Sequence, residues 1–196
     1  MLSLALAGCA AAADPKPADR WADRVVAFAP GSSAGFGQDK LPGVVLGPPQ
    51  GAGGKAGSLH VVSLGKGGAI TLALDDGAAT DGPGADLLVF ENPFEGFTET
   101  ARVEASSDGA TWKAWPCDPP AGVTATCAGL RPVWLAGAPT AGAADPSSWG
   151  GDSFDLAAIG LPSARYLRLT DTATNEYLGN TGGFDLDAVA VLHPMP

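Results

Sequence analysis

The sequence predicts an all-β protein, an antiparallel β-sandwich, and three observations lead there. Short apolar runs recur along the chain, separated by clusters of Gly, Pro, Asn, Asp and Ser. Several of these runs alternate. Ile70, Leu72 and Leu74 share one face, and Tyr166, Arg168 and Thr170 alternate with Arg165, Leu167 and Leu169. Only 16% of residues are charged, and Lys and Glu are scarce, which is poor material for long exposed helices. The 28 Gly and 17 Pro follow no period, so collagen is excluded and a loop-rich fold is expected. A chain of 196 residues has room for one domain with a core, and no internal repeat marks a second. The net charge of -10 argues against a nucleic-acid partner, which needs a basic face.

The N-terminus, MLSLALAGCA, is an apolar run ending in Leu6-Ala7-Gly8-Cys9. It resembles a bacterial lipobox, where a signal peptide is cut before a cysteine that then carries lipid. The resemblance implies a signal peptide at 1–8, lipidation at Cys9 and an exported protein anchored to the bacterial outer membrane or cell surface. Ala10 resembles the residue that permits outer-membrane sorting. The run is too short to span a bilayer. Residues 9–23 then read as a tether, rich in Ala, Pro and charge and without periodicity.

The sandwich is expected at 24–193. Its candidate strands are Arg24–Ala29, Gly43–Leu46, Ser58–Leu64, Ala69–Leu74 and Asp86–Glu91, then Ala101–Ser106, Thr111–Trp115, Pro132–Leu135, Arg165–Thr170 and Phe184–Leu192. Residues 51–57 read as a glycine loop. The one helix-like stretch, Asp155–Ile159, allows a single turn. With Cys9 lipidated, Cys117 and Cys127 remain in CDPPAGVTATC, a Pro/Gly loop able to turn back on itself. An exported compartment permits a disulfide there. His60 and His193 lie at no zinc-ligand spacing from these cysteines.

Two stretches carry a family resemblance. Ser106, Asp108, Gly109 and Trp112 form a hairpin pattern, and Ala164, Arg165, Tyr166, Arg168 and Leu169 form a strand pattern. Together they resemble the discoidin-like, galactose-binding-like jelly-roll superfamily. Phe36–Asp39, Gly57–Gly68, Asp81–Phe94 and Gly183–Val191 also resemble a group of uncharacterised bacterial cell-surface proteins, across nearly all of 24–192. That likeness implies a jelly-roll fold and an exported location, and no chemistry.

Acidic loops raise the functional question. Between Lys66 and Arg102 there is no Lys or Arg, yet the gap holds Asp75, Asp76, Asp81, Asp86, Glu91, Glu95 and Glu99. Asp185 and Asp187 share a face of the closing strand, where carboxylates are costly unless paired or metal-bound. Jelly-roll carbohydrate-binding modules, which this chain resembles, often hold a structural calcium near the first and last strands. Asp81, Asp86, Asn92, Asp185 and Asp187 supply suitable oxygens, with carbonyls from Gly82–Gly84. The competing reading is that these acids cap turns and face solvent. Asp145, Asp152 and Asp155 form a second acidic loop, for which N-capping by Ser153 or Asp152 is the favoured explanation.

Glycan recognition needs exposed aromatics beside polar groups. Trp149 and Tyr177 lie in loops, with Asn175 and Asn180 as hydrogen-bond partners; for each ring taken singly, the favoured reading is that it simply covers a loop. Trp112 is expected in the core and Trp115 on the opposite face. Gly31–Gly35 matches G-x-S-x-G but lacks the strand–turn–helix setting of a nucleophile elbow. Carboxylate pairs are uninformative in a chain with 21 acids. The expected function is therefore a non-catalytic, calcium-stabilised surface module that binds glycan or a protein partner. A structural envelope lipoprotein without a small ligand is the alternative, and a polysaccharide-active enzyme the third.

Overall fold

The structure, a computed structural model, describes residues 19–195 apart from 52, 92, 96, 135–145 and 175–178. The signal peptide, Cys9, Asn92, Asn175 and Tyr177 lie outside the described residues. The fold is all-β. Its strands are β1 (Arg24–Ala29), β2 (Val62–Ser63), β3 (Ala69–Ala73), β4 (Ala79–Thr80), β5 (Leu87–Phe90) and β6 (Ala101–Ser106). They continue with β7 (Lys113–Ala114), β8 (Asp152–Phe154), β9 (Ser163–Ala164), β10 (Tyr166–Asp171), β11 (Asp185–Leu186) and β12 (Ala188–Val191). The helical elements among the described residues are short 3-10 turns.

Two antiparallel sheets face each other. The larger runs β1-β3-β10-β6-β7 and the smaller β12-β5-β8. Alternation decides which side chains meet between them. Ile70 and Leu72 of β3, Val103 of β6, and Leu167 and Leu169 of β10 point inward from the large sheet. They meet Leu87 and Val89 of β5 and Val189 and Val191 of β12. The other side of the small sheet is also covered. Leu88, Phe90, Ala188 and Ala190 pack there under Trp149, Val133 and Trp21. This double cover explains why LLVF and AVAV are apolar throughout.

Arg168 ties the two resemblance stretches together on the outer face of the large sheet. It sits opposite Glu104 across the β10–β6 ladder and forms a fork with both carboxylate oxygens, at 2.6 and 2.7 Å. Its guanidinium also lies 4.3 Å from the centre of the Trp112 ring. Trp112 is thus half-buried on the outside, and Trp115 is the core residue. The expectation for this pair is reversed, because Trp115 packs edge-on against Phe154 and donates its Nε1–H to the Asp155 carbonyl.

Other boundaries shift for local reasons. Gly43–Leu46 is not a strand; behind Pro42 it forms a 3-10 turn, Gly43–Val45, that buries both valines. Ser58–Leu64 shrinks to β2, because the Ser58 hydroxyl accepts the His60 N–H and bends the chain. Phe184–Leu192 is broken at Asp187: β11 pairs with β2, whereas β12 pairs with β5. The turn at Leu156–Ile159 is present, and Asp155 caps it rather than Asp152 or Ser153. Asp152 instead belongs to β8. Cys117 and Cys127 are bonded, with Cα atoms 5.0 Å apart.

The N-terminal segment joins the small sheet beside β12. Trp21 bridges Ala190, the Val191 N–H donates to the Arg20 carbonyl, and Arg20 Nη1 donates to the Leu192 carbonyl.

Candidate binding site

Buried Asp86, Asp152 and Asp171 are satisfied chiefly by backbone, whereas Oδ1 of buried Asp187 makes no hydrogen bond. Asp86 has no exposed surface. Its Oδ1 accepts the Gly82 N–H, its Oδ2 accepts the Leu156 N–H, and His193 Nδ1 lies 2.8 Å from Oδ1. Asp152 accepts from Gly129 and Leu130, and burial raises its pKa above the ordinary carboxylate value. Asp171 accepts from Gly67, Ala173 and Phe184. Asp187 accepts the Gln50 N–H, with His60 Nδ1 3.6 Å from its other oxygen. Burial raises Asp187 to about 6, against the opposing pull of Gln50 and His60. These carboxylates stitch loops to strands, where backbone N–H groups hold the charge.

The expected five-ligand calcium site is not assembled. Asp86 and Asp187 stand at opposite ends of the β5–β12 ladder, about 15 Å apart along the strand. Asp185 lies at the Asp187 end, where it accepts from the Ser63 hydroxyl. The acids that do converge are Asp81, Asp86 and Asp155, with one oxygen of each within 4.8 Å of the others. That set is smaller than the six to eight oxygens calcium takes. Asp86 already receives three donors, and the Asp155 side chain caps Ala157. Asp19, Asp23 and Asp76 form a second acidic group that sequence reasoning missed.

The aromatic expectation also changes. Trp149 is only 4% exposed and covers the outer face of the small sheet. Gly150 and Gly151, which make its loop look open, are there because the chain closes on Pro132 and Phe90. A Cβ at Gly151 would lie 2.7 Å from the Phe90 ring. Trp149 therefore offers no sugar platform. Asn180 is exposed, and its backbone carbonyl accepts the Phe36 N–H.

Phe36 belongs to a pocket of about 370 Å³ beyond the Glu91 end of β5. Its apolar walls are Phe36, Phe94 and Phe97. The last two stack with ring centres 4.7 Å apart, in a tight turn whose N–H and carbonyl groups bond reciprocally. Its polar lining brings together Glu91, Glu99, Asp185, Ser58 and Thr181, with no Lys, Arg or His among the described lining residues. Phe36 is fixed from both sides, since its carbonyl also accepts the Ser63 N–H. Lys40 sits outside the wall, 5.5 Å from the Phe36 ring centre, and donates to the Leu59 carbonyl.

No family model matches this chain. No curated protein matches it either. The pocket's own chemistry is what remains to carry a functional reading. Sequence reasoning missed it, although a signal was present: ENPFEGF packs two acids and two phenylalanines into a Pro/Gly turn.

Proposed function

We propose that this protein is a non-catalytic binding module of the bacterial cell surface, anchored through Cys9, whose Phe36–Phe94–Phe97 pocket takes a glycan. The observation that carries this reading is the lining, where three aromatic rings stand beside carboxylate and hydroxyl acceptors. A pyranose presents C–H faces and hydroxyl donors. Rings suit the first and carboxylates the second. The volume of about 370 Å³ is that of a small-ligand pocket. The charged residues among the described lining are all acidic, Glu91, Glu99 and Asp185, which favours a neutral or amine-bearing glycan over an anionic one. The resemblance to galactose-binding-like jelly rolls supports the same class. Calcium belongs to this proposal at Asp81, Asp86 and Asp155 alone, as a structural ion remote from the pocket.

The test is a glycan array spanning neutral, amine-bearing and anionic sugars, probed with the full chain and with Phe97→Ala. Neutral or amine-bearing hits, lost in a variant with an unchanged melting temperature, are the expected result. No hit at all, or hits unaffected by Phe97→Ala, would overturn the reading. Polysaccharide cleavage abolished by Glu91→Gln would replace it with an enzyme.

A further inference from the structure

We infer that the exposed indole of Trp134 is a second sugar platform beside the pocket, so that the ligand is a chain of several sugars rather than one terminal unit. This rests on the glycan reading above. Trp134 is 61% exposed, the most exposed tryptophan among the described residues. Leaving so large an apolar ring in water forgoes the stabilisation that burial would give.

The ring is nevertheless braced. Gly53 and Gly54 run against its six-membered ring. A Cβ at Gly54 would lie 3.4 Å from Cη2, and one at Gly53 would lie 3.7 Å from Cζ3. Gly150 closes on the other end, where a Cβ would lie 3.0 Å from Cδ1. The backbone beneath is bonded on both sides: the Trp134 N–H donates to the Trp149 carbonyl, and the Gly53 N–H donates to the Val133 carbonyl. The indole is thus flanked by glycine backbone near both ends while most of the residue stays exposed. A ring held still and left open costs little further entropy when a sugar stacks on it.

Its place ties it to the pocket. The Glu95 N–H donates to the Gly54 carbonyl, so the loop that braces the indole also touches the Phe94–Phe97 turn. Three residues on, Gly57, Ser58 and Leu59 line the pocket. That separation is at most about 11 Å of chain. Leu59 and Phe97, which line the pocket, and Trp134 are 76%, 44% and 61% exposed. A linear oligosaccharide seated in the pocket would reach the indole past the Phe94–Phe97 turn, which Gly54 joins to Trp134.

The experiment is calorimetric titration of the full chain with cello-oligosaccharides and fully deacetylated chito-oligosaccharides of one to about six units. Affinity should rise with length in the unaltered protein. Trp134→Ala should weaken the longest probes about tenfold and leave the shortest unchanged. Trp134→Phe should recover part of that loss, and Phe97→Ala should weaken every length. Melting temperatures confirm that the variants fold. Equal loss at all lengths in Trp134→Ala, or no loss, overturns the inference while the glycan reading stands. If no probe binds the unaltered protein, both fall for this sugar class, and the array result decides the wider reading by itself.

Discussion

The Nδ1 of His193 stands 2.8 Å from Oδ1 of Asp86, a carboxylate with no exposed surface. The other histidine of the chain ends in a similar place, with His60 Nδ1 3.6 Å from Oδ1 of the buried Asp187. Neither pairing is local in sequence. Each brings an imidazole and a carboxylate together at one end of the β5–β12 ladder, where loops must be closed over the small sheet.

Removing Asp86 should therefore destabilise the fold strongly. Asp86→Ala strips the acceptor from the Gly82 and Leu156 N–H groups and from His193. The expected cost is about 3–5 kcal/mol, that of breaking a buried charged cluster. Asp86→Asn keeps one acceptor oxygen and should cost less. Urea denaturation of both variants measures this, and a loss below about 1 kcal/mol for Ala would show that Asp86 is not a clamp.

Asp187 sets a pH dependence of unusual sign for an aspartate. Burial lifts its folded value to about 6, above the unfolded one. The folded state therefore keeps its proton to higher pH than the unfolded chain does. The stability from this group is complete below about pH 4 and is lost as pH rises through about 6. The loss is on the order of 2–3 kcal/mol. Asp187→Asn cannot ionise, so the wild-type advantage over this variant should shrink between pH 4 and 7. Denaturation midpoints at several pH values measure that difference, and a constant difference would refute it.

Reducing the Cys117–Cys127 bond should lower stability by about 3 kcal/mol in the chain-entropy account for a loop of this length. In a domain of this size the melting temperature falls by roughly 6–10 °C. Thermal melts with and without reductant test this. Free alkylation of both thiols in unreduced exported protein would remove the premise.

Calcium, on the narrowed proposal, acts through Asp81 and Asp155. At about 100 times its dissociation constant it should add roughly 2.7 kcal/mol, a rise of about 5–10 °C. Asp81→Asn or Asp155→Asn should diminish that rise, whereas Asp185→Asn should leave it whole. Magnesium should substitute poorly, because it demands a tight octahedron. Identical melts after chelation and after calcium is restored would count against an ion at this cluster.

The strands most legible in the sequence are those whose alternation is fixed by one buried face. Ala101–Ser106 agrees to the residue, and Ala69–Ala73 and Tyr166–Asp171 nearly so; Arg24–Ala29 also agrees, although none of its residues is buried. β8 was hidden because Asp152 and Ser153 read as loop chemistry, although Asp152 is buried by the turn it holds at Gly129 and Leu130. Trp112 and Trp115 exchange places relative to expectation because spacing gives a face, not which face is covered. Trp112 lies under an arginine and Trp149 under no solvent. The pocket was not legible as a unit. Phe36, Ser58, Glu91 and Asp185 meet only through pairings between distant strands and loops, which no local pattern encodes.

The way the N-terminal segment enters has an orienting consequence. It joins the small sheet at Ala190 and Val191, beside the Asp86 end of β5, and the pocket opens beyond the Glu91 end. On the proposed anchor at Cys9, nine residues lie between the lipidated cysteine and Asp19, a leash of at most about 35 Å. The membrane then pulls on one pole of the molecule and the pocket crowns the other. On that proposal, a ligand in the pocket would be held away from the point of attachment.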